Sequence, residues 1–323
     1  MMLRIYLVGA AGLVIYRVTR SHFIMAHGRR NEPVKTILTA LALAYLIGAG
    51  AAKADSAQPS PPPSPSPTRA ASDPCGGDGR LLATLDRPTV GYSACAIAPG
   101  TVVFEEGYQN QQQGADLSTI LIQYPQSFTR IGVKKRLEID VIGPYFNTLA
   151  TPDGTGGSTR THGYQDSGLG FKYEFEPKGK FTFGVDGLYT APNGSPGFTN
   201  GGVTATANLD VAYAVTPTFG VGTTQAFLST SGFKADGTVA RYGVWMPSFV
   251  LTQQLNDYFQ LYAEYVYVNK LSPDQGGRAF VDYGVQHLLG RRFEMDVEFG
   301  NSITGDKQLR FNYFGVGFGW QLR

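Results

Sequence analysis

Two cysteines, four histidines and two tryptophans in 323 residues leave little material for several kinds of chemistry. The histidines are His22, His27, His162 and His287, and none has a Cys, Asp or Glu cluster at metal-ligand spacing around it. The reading is therefore no metal, no cofactor and no enzyme. GxSxG is absent. The Gly168-Leu169-Gly170 and Gly315-Val316-Gly317 pairs open no helix, so they are not phosphate loops. Charged residues make up only 16 % and form no basic block. That composition offers nothing to nucleic acid. From residue 101 onward no helical hydrophobic period persists.

What is there begins with a leader. Residues 36–51, TILTALALAYLIGAGA, follow Arg29, Arg30 and Lys35 and precede Ala52-Lys53-Ala54. A basic region, an apolar run and a small-x-small site predict a signal peptide cleaved after Ala54. The run, about 16 residues, is short of the ~20 that a membrane helix needs. A second apolar run, MMLRIYLVGAAGLVIY, lies upstream of this complete signal and points to Met25 as the true start. Residues 1–54 are then leader and 55–72 a Pro/Ser-rich linker around QPSPPPSPSPT. Seven of 27 basic residues and one of 25 acidic ones fall in the leader, so the mature charge is 20 minus 24, or −4. Cys75 and Cys95, in an exported chain, predict a disulfide in the segment 73–100. A loop of that size contributes about 3 kcal/mol.

Residues 101–323 read as about twelve strands of period two, each running about ten residues. Connections after the even strands are short (KKR, EPKG, TP, LNDY, GRR), while 149–163, 191–202, 230–238 and 270–277 are longer. Pro125 and Pro247 each interrupt a run and predict a bulge. Alternation splits the faces. Leu169, Phe171, Tyr173 and Phe175 oppose Lys172 and Glu174; Phe293, Met295, Val297 and Phe299 oppose Glu294, Asp296 and Glu298. Long and short connections in alternation suit an all-β, single transmembrane antiparallel up-and-down barrel, oily outside and polar within. A barrel is also how strands satisfy their backbone groups in lipid. Parity turns Glu138, Asp140, Lys172, Glu174, Asp186, Asp210, Glu264, Asp282, Glu294, Asp296 and Glu298 into the lumen. Arg130 and Arg241 join them if the prolines shift the register. Tyr124, Tyr145, Tyr189, Tyr258 and Trp320, near strand ends, suit the headgroup girdle.

Several stretches carry a resemblance: CGG at 75–77, RPT at 87–89, SAC at 93–95, LIQYPQSFTRIGV at 121–133, SGLGFKYEF at 167–175, GVDGLYTAPNGSPGFTNGG at 184–202 and FVDYGVQHLLGRRFEMDVEFG at 280–300. Over about residues 75–323 the chain resembles the family of outer-membrane proteins named for the meta-pathway of phenol degradation, often labelled transporters. The resemblance implies an outer-membrane channel for small, in part aromatic, solutes. It also implies export past periplasmic chaperones to the barrel-assembly machinery, with outer-membrane lipid as the surrounding partner. The chain ends Trp320-Gln321-Leu322-Arg323, whereas such chains commonly end in an aromatic residue.

Three functions follow from the residues. In the first, ten carboxylates against one lysine make a lumen that favours cations or neutral solutes, or else the carboxylates pair with arginines and fill it. Segment 73–100 then plugs the lumen or caps it from the periplasm. In the second, a lipid hydrolase, His162 would act beside Ser158, Thr159 and Thr161, but no catalytic motif supports it, and His287 sits near a short turn. The third is a structural or adhesive barrel with ligand-binding outer loops, for which Phe198, Phe233, Arg160 and Tyr164 are the available anchors.

Overall fold

A computed structural model of the chain describes residues 6–9, 12–15, 75 and 80–322. The expected signal peptide, its cleavage site and the Pro/Ser-rich linker lie outside the described residues. The chain divides into units 1–64 and 65–323; in the first, Tyr6–Gly9 pairs antiparallel with Gly12–Ile15.

From residue 80 the described part of the second unit runs as a five-residue helix, α1 (Arg80–Thr84), and an irregular stretch to residue 101. Fifteen strand segments follow: β1 (Val102–Gln113), β2 (Thr119–Gln123), β3 (Phe128–Lys134), β4 (Leu137–Ile142), β5 (Phe146–Pro152), β6 (Ser158–Tyr164), β7 (Gly168–Glu174), β8 (Phe181–Thr190), β9 (Thr204–Ala214), β10 (Phe219–Phe233), β11 (Val239–Gln254), β12 (Phe259–Ser272), β13 (Gln275–Leu288), β14 (Phe293–Ser302) and β15 (Phe311–Gln321). Each neighbour pairing is antiparallel, and β15 pairs back onto β1 from Phe311–Gln113 to Gln321–Val103. The sheet is closed into a ring by that pairing, while β6, beyond the ring, pairs with β5 alone.

Three of its staves are broken: β2 and β3 form one, β4 and β5 the next, β6 and β7 the third. Counted as staves, the barrel has twelve, as the sequence predicts. The breaks, at 124–127, 143–145 and 165–167, lie side by side in adjacent staves. Backbone bonds from Tyr124 N to Phe146 O (2.9 Å), Gly143 N to Ser127 O (2.9 Å) and Gln165 N to Tyr145 O (2.8 Å) hold them together. Each break flips the alternation. Gln123 and then Gln126, Phe128 and Arg130 are buried, so the inward set changes from odd to even positions. Asp140 and then Asn147, on the next stave, show the same flip.

Several expectations need correction. Pro125 sits in a full interruption, not a bulge. Pro247 stays in β11 with no shift against β10. The expected loop 149–163 is a hairpin in which β5 and β6 pair from Phe146–Tyr164 to Pro152–Ser158, leaving 153–157 as the turn. Loop 270–277 shrinks to 273–274 for the same reason. Thr, Ser and Gly that read as loop residues are strand residues beyond the oily band, where neither face needs apolar side chains. Tyr145 lines the interior, because the break beside it turns it inward.

The amphipathicity is inside out. Leu169, Phe171, Phe227, Phe249, Tyr265, Tyr283 and Phe299 are exposed, while Glu105, Arg130, Glu138, Asp210, Asp282 and Glu294 have no exposed surface. In water such an outer face would be a large unpartnered apolar belt; against hydrocarbon it is the stable arrangement. Tyr124, Tyr189, Tyr258 and Trp320 are exposed near strand ends, as a girdle requires.

Candidate functional site in the barrel lumen

Residues 80–100 run through the inside of the ring rather than beneath it. Cys75 and Cys95 form a disulfide with Cα atoms 5.5 Å apart. At the rim where the barrel begins and ends, Leu81, Leu82 and Leu85 pack with Ile97, Val103 and Leu288. Beyond that apolar knot the segment is held by carboxylates from the wall. Glu105 accepts from Asp86 N (3.0 Å) and Arg87 N (2.7 Å); Glu264 accepts from Val90 N (2.7 Å) and Gly91 N (2.8 Å). Glu174 accepts from Ala96 N (2.9 Å) and Glu138 from Ile97 N (2.7 Å). A segment with no regular structure has backbone donors to satisfy, and buried donors go to the nearest strong acceptor.

Side chains complete the grip. Asp86 on the segment takes Lys172 at 2.7 and 2.9 Å and lies 3.6 Å from Arg130. Arg130 also bonds Glu138 (2.7 Å) and Glu105 (3.1 Å), and donates to the carbonyls of Thr84 and Cys95. Arg87 reaches β14, two staves from Glu105, 3.4 Å from both Asp296 and Glu298, and donates to Gln126 at 2.8 Å. Its guanidinium comes close to the bare backbone of Gly317, where a Cβ would stand 2.6 Å from its Nε. At Gly184 a Cβ would come within 2.9 Å of the Ala94 carbonyl, so the segment's own backbone rests on a glycine of β8.

Of the eleven residues that parity turns inward, all are buried. Six touch the segment: Glu138, Lys172, Glu174, Glu264, Asp296 and Glu298. Three are bonded within the wall: Asp186 by Asn208 (2.7 Å), Asp210 by Thr224 (2.7 Å) and Asp282 by the Tyr313 hydroxyl (2.9 Å). Asp140 stands opposite Arg130 in register, and Glu294 opposite Gly319. Sequence reasoning missed Glu105, Asp86 and Arg87. Adding the two acids to the ten predicted makes twelve carboxylates; Arg87 and Arg130 beside Lys172 make three cations. Arg241 does not join them. It is exposed and donates to Ser229 Oγ (3.1 Å) and Val203 O (3.1 Å).

Towards the loop rim the lining changes. Val244, Val266, Val268, Phe280, Phe311 and Tyr313 are buried together, flanked by Val90, Leu228, Tyr242, Met246 and Leu271. Phe280 meets Phe311 edge-on at 5.3 Å, and Phe311 stacks on Tyr313 at 6.0 Å. Between this patch and the segment lies a cavity of about 240 Å³ lined by Val90, Tyr92, Phe128, Tyr145, Tyr313, Arg87 and Glu298 among others.

The remaining candidates are placed outside this chamber. His162 lies on β6, exposed, its Nδ1 2.9 Å from Thr148 Oγ1 and its ring stacked on Phe146. His287 stacks on Phe259 at 4.0 Å. Asp153 and Asp236 cap their own turns, and hydrogen bonds from Thr155, Gly157 and Thr238 hold both carboxyls below the usual range. Among the described residues no cluster of His, Cys, Asp or Glu is arranged to hold a metal.

A closed antiparallel barrel, oily without and charged within, is an outer-membrane β-barrel. No family profile matches the chain, and no curated protein matches it in sequence. Among solved structures, the COG4313 outer membrane channel from Pseudomonas putida F1 is 10 % identical with a TM-score of 0.53, covering 71 % of this chain and 98 % of that one. The NanC porin is 12 % identical (TM-score 0.47; 68 % and 98 %), and the CymD monoaromatic hydrocarbon channel 9 % (TM-score 0.38; 70 % and 88 %). At such identity the first likeness is one of fold.

Proposed function

We propose that this chain is a channel of the bacterial outer membrane for small, weakly polar solutes, aromatic ones among them, and that residues 80–100 restrict it. The observation that carries the reading is the division of the lumen. A carboxylate-lined waist grips the segment, and a buried apolar cluster of Phe280, Phe311 and Tyr313 lies towards the loop rim, with the cavity of about 240 Å³ reaching it at Val90 and Tyr313. Rings present flat apolar faces that suit a planar solute, while hydrogen-bonded carboxylates suit a fixed backbone. The same division agrees with the resemblance to the outer-membrane family named for phenol degradation. The eleven inward groups lie on or beside the path of ions that leak past the segment, and their net negative charge favours cations there. Single-channel recording in a planar bilayer tests this. Small, cation-preferring currents are expected, and replacing Glu294, Asp296 and Glu298 together by Gln should weaken the preference. Anion preference would contradict the acidic waist. Uptake of radiolabelled naphthalene by cells tests the apolar cluster: Phe280→Asp, checked for native folding by heat-modifiable gel mobility, should abolish it, and unchanged uptake would leave a structural or adhesive barrel as the better reading.

A further inference from the structure

The cations that face the lumen fall into two groups. Arg87, Arg130 and Lys172 lie against carboxylates. Lys270 of β12 and Arg278 of β13 lie against rings instead. Lys270 Nζ stands 5.8 Å from the centre of the Tyr242 ring, and Arg278 Cζ 4.2 Å from that of Phe311. Neither has a carboxylate partner among the described residues. A guanidinium carries five N–H donors. Here Nη1 donates to Leu309 O at 3.2 Å, while the buried Nε has no acceptor.

The register shows where the two point. Arg278 stands opposite Val268, and Lys270 opposite Gly276. Val268 and Phe280 belong to the buried apolar cluster, and alternate strand positions share a face. Lys270, Gly276 and Arg278 are therefore on the inner face, next to the 273–274 turn at the loop rim. Both cations are half-buried. A Cβ built on Gly276 would meet nothing within 4 Å, so space lies open beside them. Phe280 and Phe311 lie below, and Tyr242 and Leu271 edge the cluster. The carboxylate that comes next down β13, Asp282, already accepts from the Tyr313 hydroxyl at 2.9 Å.

A carboxylate takes guanidinium donors in pairs and an ammonium as a point charge. A ring carried on that carboxylate would meet apolar side chains. We propose that the mouth of the lumen, between β11, β12 and β13, is a binding site for aromatic carboxylates. The carboxylate takes Arg278 and Lys270, and the ring lies against Tyr242 and Leu271. The site rests on the channel reading above and gives that channel a class of solute to capture. An inorganic anion finds the cations but gains nothing from the apolar edge. A neutral arene finds the edge but leaves Arg278 Nε without an acceptor. The acidic waist deeper in repels an anion, so the acid is held at the mouth.

Naphthoate binding to the purified full chain in discs of zwitterionic lipid, read from its own fluorescence against empty discs, tests this. Arg278→Gln with Lys270→Gln removes both charges and keeps a donor for Leu309 O. Gly276→Val fills the open space with a strand-forming residue. Native folding of both is checked by heat-modifiable gel mobility. Each should weaken naphthoate binding about tenfold or more, the effect of losing one charge-assisted hydrogen bond. Sulfate in excess should leave naphthoate bound. Unchanged affinity in the double variant would overturn the site and leave the channel reading standing. Displacement by sulfate would make it a site for any anion and overturn the aromatic class. Naphthalene uptake by wild-type cells no faster than by cells lacking the protein, with naphthoate still bound, would overturn the channel reading alone.

Discussion

Removing the Glu264 carboxylate should free the middle of the lumen segment. Its two oxygens hold Val90 N at 2.7 Å and Gly91 N at 2.8 Å, and Glu264 itself is buried. A hydrogen bond to a charged group contributes about 1.5–3 kcal/mol, so losing both costs on the order of 3–6 kcal/mol. At 1.4 kcal/mol per tenfold, local release of residues 88–92 becomes roughly a hundred- to ten-thousandfold more populated. Arg87 still ties the segment to Asp296 and Glu298, and the disulfide still pins its base, so the opening is local. The disulfide occupies the chain's two cysteines, so a Thr89→Cys substitution introduces the single reactive thiol. Its modification by a membrane-impermeant thiol reagent reports opening. Glu264→Ala should raise the rate of modification within that range. A rate equal to that of Glu264-containing protein would refute the idea that wall carboxylates hold the segment.

Other perturbations follow from the same structure. Arg87→Ala leaves Asp296 and Glu298 buried without their cation, and breaking such a group by removing one partner costs about 3–5 kcal/mol; a urea midpoint giving less than about 0.5 kcal/mol, the range of an ordinary surface change, would contradict the pairing. Phe171 faces outward on β7, beside Lys172, which is fully buried. Phe171→Lys therefore turns a second ammonium towards hydrocarbon and should cost about 2–4 kcal/mol in folding into bilayers; a neutral result would argue against the inside-out arrangement.

Much of the barrel was legible because lipid makes alternation strict. Residues such as Leu169, Phe171, Tyr173 and Phe175 have one environment, Lys172 and Glu174 the other, and no register shift interrupts them. Where alternation fails, so does reading. Arg130 follows the break at 124–127, which flips parity, and parity alone left it undecided. Glu105 stands next to Glu106, so two successive carboxylates gave no face. The apolar cluster was invisible for a different reason: Val266, Val268 and Phe280 are apolar and inward, while Leu261 and Tyr265 on β12 are apolar and outward. A rule that assigns grease to lipid cannot find grease in the lumen. Asp86 and Arg87 lie in a stretch without any period, and their partners are 209 and 211 residues away for Arg87 and 86 for Asp86. Pro247 signalled a lost ladder bond in a long strand, but that the ladder with β12 is the one that stops, at Ser248, depends on the direction of each N–H.

Amide hydrogen exchange over residues 86–97 in the membrane-embedded protein reports whether the wall carboxylates hold the segment. The amides of Asp86, Arg87, Val90, Gly91, Ala96 and Ile97 each donate to a wall carboxylate and should be protected far beyond an irregular segment in water. Exchange at the rate of an unstructured peptide would mean that the lumen does not hold this segment.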